Sequence, residues 1–135
     1  MKAMPSHLFS EFAVIGPTGT VDLEPVDPSL YARLDAEYGG FDGHLLVSAH
    51  SFDEDWDTWE VHPAGDELVV LIRGWAQLVL QGPNGETTQD LARPGDFCLV
   101  PKGAWHTARI NQPTQLLFIT PGANTSNAEK PPSSV

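Results

Sequence analysis

The sequence predicts an all-β fold, an antiparallel sandwich or small barrel with one short helix near the N-terminus. Three observations carry that expectation: short β-type runs recur from Gly43 onward, tight-turn chemistry separates them, and one segment alone has helical periodicity. The runs are 44–51, 56–62, 67–73, 75–81, 87–91, 97–100, 105–110 and 115–120. Between them lie Pro63-Ala-Gly-Asp66, Gly82-Pro-Asn-Gly85, Arg93-Pro-Gly-Asp96 and Asn111-Gln-Pro113, the residues that tight reversals need. Before this region, short edge strands are expected near 12–15 and 20–23, set off by Gly16-Pro17 and Gly19. The helix follows. Asp27 can cap it, Pro28 suits its first position, Leu30, Leu34 and Tyr38 recur on one face, and Gly39-Gly40 stops it. That stripe is read as a packing face. Leu68-Val-Val-Leu-Ile72 is apolar at both parities, which predicts a strand covered on both sides, its outer face meeting the N-terminal segment or a second subunit. Residues 123–135 are rich in Ser, Asn and Pro without apolar periodicity, so they are expected to form a mobile tail after a single domain of 1–122.

A chain of 135 residues with 41% apolar content is long enough for one self-sufficient core. Its formal charge is −11, with 18 Asp and Glu against 7 Lys and Arg, and that excess repels a phosphate backbone and an anionic membrane surface alike. Nucleic acid and membrane are therefore excluded as expected partners. No segment reads as a secretory signal or a membrane span, so a cytoplasmic protein is expected. The single Cys98 lies in the apolar run 97–100 and reads as a small buried hydrophobe.

Chemistry concentrates in one spaced set: Glu60, His62, Glu67 and Gly74, then Gly95, Pro101, Gly103 and His106. Residues two apart on a strand face the same way, so Glu60 and His62 point together at roughly 6 to 7 Å. The turn after His62 returns the chain antiparallel, which can set Glu67 beside that pair, and Gly74 permits another reversal. Pro101-Lys-Gly103 is a turn that lets the His106 strand enter from the opposite sheet. Four metal-competent side chains, Glu60, His62, Glu67 and His106, thereby converge on one expected site.

These residues resemble the two motifs of the cupin superfamily. Glu60-x-His62, four residues, Glu67, six residues and Gly74 matches the first motif except that Glu60 stands where the family has His. Gly95, five residues, Pro101-x-Gly103, two residues and His106 matches the second, with Asn111 one position later than the family's Asn. The resemblance spans 44–121. It implies a double-stranded β-helix, the jelly-roll barrel, holding one divalent metal per chain (Fe, Mn, Zn or Ni) through His62, Glu67 and His106, often in a homodimer. Two imidazoles and a carboxylate suit non-haem iron chemistry. Glu60 is read either as a further ligand or as a general base beside the metal, and so as the candidate catalytic residue. The implied function is a small metal-dependent enzyme of dioxygenase or isomerase type, acting on a small metabolite that chelates through oxygen. The alternative is a non-catalytic cupin that captures or senses a small ligand.

By strand parity Val69, Leu71 and Ala108 share the ligand face and are expected to wall the substrate pocket, with Arg73 as a candidate anchor for a substrate carboxylate. Trp59 and Trp105 neighbour proposed ligands and should face away; they and Trp75 are read as packing residues. The acidic run 53–57 lacks the Gly and distal Glu of a calcium loop and is read as a solvated loop. His50 and His7 have no partner at ligand spacing and stay outside the expected site.

Overall fold

The computed structural model describes residues 3–132; residues 1–2 and 133–135, the latter the end of the expected tail, lie outside them. In chain order the elements are β1 (Glu11–Ile15), β2 (Val21–Pro25), α1 (Leu30–Glu37), a 3-10 turn (Gly39–Phe41), β3 (Leu45–Phe52), β4 (Trp59–Val61) and β5 (Glu67–Arg73). Next come β6 (Ala76–Gly82), β7 (Gly85–Leu91), β8 (Phe97–Val100), β9 (His106–Ile110), β10 (Thr114–Thr120) and β11 (Ser126–Ala128). They form two antiparallel sheets, ordered β2-β1-β3-β10-β5-β8 and β11-β4-β9-β6-β7. From β3 to β10 the chain crosses between the sheets at every connection except the β6–β7 hairpin, and the sheets stay separate at their edges. Among the described residues no helix is long and apolar enough to cross a membrane.

Period-2 patterning explains what the sheets enclose. Along β5 the residues Glu67, Val69 and Leu71 are buried while Leu68, Val70 and Ile72 are half-buried, so the odd positions face inward. They meet Leu78, Leu80, Val100, Ala108, Leu116 and Phe118 in the main core. Each fully buried aliphatic side chain contributes about 1.5–3 kcal/mol relative to exposure. The outer face of β5 is not covered by the N-terminal segment, because β1 and β2 extend the same sheet at its opposite edge. Beside it, β8 leaves Phe97 and Leu99 on the surface.

A second cluster joins Phe12 and Val14 of β1, Leu46 of β3, Phe41 and Ala123 to the helix residues Leu30 and Leu34. The expected stripe is therefore the packing face, and Gly39 and Gly40 end the helix with positive φ. The cap differs from expectation. Ser29 occupies the N-cap position, and Asp27 sits two residues earlier, accepting from the Ser29 N–H (2.9 Å) and from Arg33 Nη1 (2.6 Å). The tail expectation is also corrected: Ala123 is buried and β11 pairs with β4, in the register Ser126 to Val61 and Ala128 to Trp59. A polar composition did not prevent ordering because an open sheet edge supplied backbone partners.

Gly74 closes the β5–β6 reversal at φ +95°, where a Cβ would sit 2.5 Å from the Pro113 carbonyl and from Thr114 Oγ1. Gly85 has φ +108° with nothing within 4 Å of a Cβ. Gly74→Ala is therefore expected to cost about 3–4 kcal/mol of unfolding free energy, and Gly85→Ala about 1–2 kcal/mol. Urea unfolding of the two variants measures the gap; equal losses would contradict the close-packed account of Gly74.

Candidate metal centre

β4 presents Glu60, and His62 follows immediately after the strand; β9 opens on His106, whose Cα partner across the ladder is Glu60. These three come from one sheet. Glu67, the first residue of β5, faces them from the other. The expected arrangement is thus inverted: the Pro63–Asp66 turn carries the chain between sheets instead of folding it back beside β4, and His106 is the neighbour of Glu60. The two motif turns hold each other, since Asp66 Oδ1 accepts from the Lys102 N–H (2.7 Å) and the Gly103 N–H donates to the His62 carbonyl (3.1 Å).

The four side chains meet closely. Glu67 divides its carboxylate, Oε2 lying 3.2 Å from His62 Nε2 and Oε1 lying 3.1 Å from His106 Nε2. Glu60 Oε2 is 3.7 Å from His62 Nε2 and 4.0 Å from His106 Nε2. One donor atom from each of Glu60, His62 and His106 lies within 4.8 Å of the others. His62, Glu67 and His106 are buried, whereas the Glu60 side chain is about a third exposed.

Hydrogen bonds behind the ligands set their protonation. The single hydrogen of the Thr125 hydroxyl goes to the Gly122 carbonyl (2.9 Å), so Thr125 Oγ1 acts as acceptor toward His62 Nδ1 at 2.8 Å. The Ala104 carbonyl, which can only accept, lies 3.1 Å from His106 Nδ1. Both partners assign the proton to Nδ1 and leave a bare lone pair on Nε2 when the ring is neutral. Thr120 Oγ1 donates to Glu67 Oε2 at 2.5 Å. What remains is His62 Nε2, His106 Nε2 and Glu67 Oε1, all buried and without an aligned hydrogen-bond partner despite their short separations. Such orphaned donor atoms are rare in folded interiors, and two imidazole nitrogens with carboxylate oxygens fit a divalent transition metal.

The wider fold compares with known structures. An oxalate oxidase in complex with glycolate aligns over 61% of this chain and 45% of its own at 14% identity, with TM-score 0.52. Bacillus subtilis oxalate decarboxylase, whose centres are Mn(II), aligns over 62% and 23% at 17% identity, TM-score 0.51. A Desulfitobacterium hafniense cupin superfamily protein aligns over 56% and 65% at 25% identity, TM-score 0.47. The chain has the cupin fold. It spans under half of the oxalate oxidase and under a quarter of the oxalate decarboxylase. No family model and no curated protein matches it.

In this cupin Glu60, His62 and Glu67 line a cavity of about 880 Å³, while His106 is fully buried and does not line it. Val69, Leu71 and Ala108 do face inward but do not line it: they are fully buried in the core. Parity was right and depth was not, since each further inward residue lies about 6.6 Å along the strand. Arg73 is exposed at the far end of β5, beside Ser51 and Pro113, and does not reach the cavity. The actual wall comes from elsewhere. Ser48, His50 and Phe52 line it at alternate positions of β3, so His50 faces the cavity although it is not one of the grouped metal-competent residues, and Phe118 and Thr120 line it from β10. Helix α1 adds Tyr31, whose hydroxyl is 3.2 Å from His50 Nε2. The acidic run is not simply solvated. Asp55 Oδ1 accepts from the Ile110 N–H (2.7 Å), the Trp56 N–H donates to the Ala108 carbonyl (3.0 Å), and Trp56 packs edge-on to His106. Same-parity polar and aromatic residues on 48–52 were the signal for this wall. Trp59, Trp75 and Trp105 stay out of the cavity as expected, and burial pushes the Cys98 thiol up to about 11.

Burial raises the Glu60 carboxyl, with adjacent Glu67 adding to the effect and both imidazoles opposing it. Burial would also raise Glu67, but contacts with His106 and His62 outweigh it and hold the carboxyl down to about 2. For His106 burial favours the neutral ring, and the Glu67 contact outweighs it and raises the pKa. A carboxyl depressed from 4.5 stabilises the fold fully above 4.5 and loses that effect as the pH falls toward about 2. An imidazole raised from 6.5 stabilises it fully below 6.5 and loses that effect as the pH rises through its folded value. In metal-free protein the difference in unfolding free energy between wild type and Glu67→Gln should therefore be widest between pH 4.5 and 6.5. Urea unfolding across the pH range measures it, and a difference independent of pH would contradict the ion-pair assignment.

Proposed function

We propose that this cupin binds one divalent metal ion per chain through His62, Glu67 and His106, and that it is a metal-dependent enzyme of dioxygenase or isomerase type. Its substrate is a small molecule that chelates through oxygen atoms. The observation that carries the reading is the trio of buried donor atoms without an aligned hydrogen bond, His62 Nε2, His106 Nε2 and Glu67 Oε1, on side chains fixed by hydrogen bonds behind them, with His62 and Glu67 lining an open cavity. A bound metal supplies Lewis-acid polarisation of a chelating oxygen or a site for oxygen activation. The chain's own residues then do the rest. Glu67 neutralises charge from the buried side, and the cavity wall orients the substrate over the site while excluding part of the solvent.

Glu60 completes the set as a fourth ligand. A second role is favoured by its position: its Oε2 stands farther from both imidazoles than either Glu67 oxygen, and the side chain fronts the cavity. There it can take a proton from the substrate at Oε2 and return it at another atom, the transfer an isomerase needs.

Untagged protein purified without chelator should retain near-stoichiometric Mn, Fe, Zn or Ni by elemental analysis. His106→Ala should lose the metal while remaining folded by circular dichroism, and Thr125→Val, which removes the acceptor for His62 Nδ1–H, should weaken metal affinity about tenfold. Unchanged metal content in His106→Ala would remove His106 from the site and with it the proposed centre.

A further inference from the structure

We infer that the cavity above the metal centre receives a neutral or cationic ligand with a planar, apolar body, and that it discriminates against small dicarboxylates. The inference rests on the metal reading above and specifies what chelates there.

Its first support is charge. Besides Glu60 and Glu67, the cavity is lined by Asp35, Asp55 and Asp57, and among the described residues neither Lys nor Arg lines it. Arg33, the one basic residue on α1, is turned away and held by Asp27 and the Pro25 carbonyl. A dication offset by two glutamates leaves three aspartates uncompensated, so an entering dianion meets a field of its own sign. His50 adds no countercharge at neutral pH, because burial holds its imidazole below the ordinary value. Asp35 and Asp57 make no side-chain hydrogen bond or ion pair among the described residues, which leaves their charge to act on the cavity.

The second support is shape. Phe52, Trp56 and Phe118 pack with ring centroids 5.6 to 6.2 Å apart and together form one aromatic wall. Tyr31, Phe41 and His50 add further aromatic surface. Aromatic rings recognise planar apolar bodies by stacking and edge contacts, and they recognise cations through the ring face. In a cavity of about 880 Å³ a two-carbon dianion stays surrounded by water, whereas an aromatic body reaches this wall and packs against it.

Hydroxamates test the point, because one chelating group can carry different bodies. Zinc is loaded first and its stoichiometry measured, then acetohydroxamate, benzohydroxamate, its para-aminomethyl and para-carboxy derivatives, and oxalate are titrated by calorimetry. Benzohydroxamate should bind about tenfold more tightly than acetohydroxamate, and the para-aminomethyl form about tenfold more tightly than the para-carboxy form. Oxalate should be weaker than benzohydroxamate. In the doubly substituted Asp35→Asn, Asp57→Asn protein the charge preference should shrink to about threefold or less, with zinc still loaded to the same stoichiometry. Both positions are exposed, so the fold is not at stake. Failure to load zinc would overturn the underlying metal reading and the inference with it. Normal zinc loading with oxalate or the para-carboxy form binding as tightly as the others would overturn this inference alone, as would equal affinity for the aceto and benzo compounds.

Discussion

A carboxylate with 2% of its surface exposed is the constraint on which the rest of the site depends. Glu67 is introduced into the interior by the first residue of β5, directly ahead of the core positions Val69 and Leu71. A buried carboxylate is costly unless charge and hydrogen bonds compensate it. Here the compensation is distributed over three elements: His62 after β4, His106 at the head of β9 and Thr120 at the end of β10. The same geometry keeps Nε2 of both rings turned toward Glu67, because Thr125 and Ala104 occupy their Nδ1 sides. Without metal, Glu67 and His106 form an ion pair whenever that imidazole is protonated. On the proposed metal reading the same atoms are the ligands, and proton and cation then compete for one position.

Much of this was legible because turn chemistry and spacing are local. β5 and β8 have the bounds expected from the sequence, and Gly74 stands at a reversal that tolerates no Cβ. The four metal-competent residues converge because two short turns, bonded to each other through Asp66 and Lys102, fix where β5 and β9 begin. Which sheet each ligand occupies was not legible: a four-residue turn can make a hairpin or a crossover, and only the packing of both sheets decides. Depth was hidden too. Parity places Val69 and Ala108 on the inner face but says nothing about whether that depth is cavity or core.

Two further features depended on long-range partners. The segment after Thr120 looks mobile by composition, yet it supplies β11 and the Thr125 hydroxyl that fixes His62, 63 positions away in sequence. The acidic run 53–57 looks solvated, yet its backbone is pinned to β9 and it places Trp56 against His106. Both cases show a polar stretch taking up the free backbone groups of a sheet. The consequence is a cluster of metal-competent side chains beside an aromatic, acidic cavity wall, a combination that the spacing of those residues alone does not specify.

The central claim is that both imidazoles offer a bare Nε2 lone pair to a cation. Long-range proton–nitrogen NMR correlation on isotope-labelled, metal-free protein, at a pH high enough to neutralise both rings, reads it directly. The account predicts the Nδ1–H tautomer for His62 and His106, with added zinc shifting Nε2 of these two rings and leaving His44 and His50 unchanged. An Nε2–H tautomer at either ring, or zinc-induced shifts confined to other histidines, would contradict it.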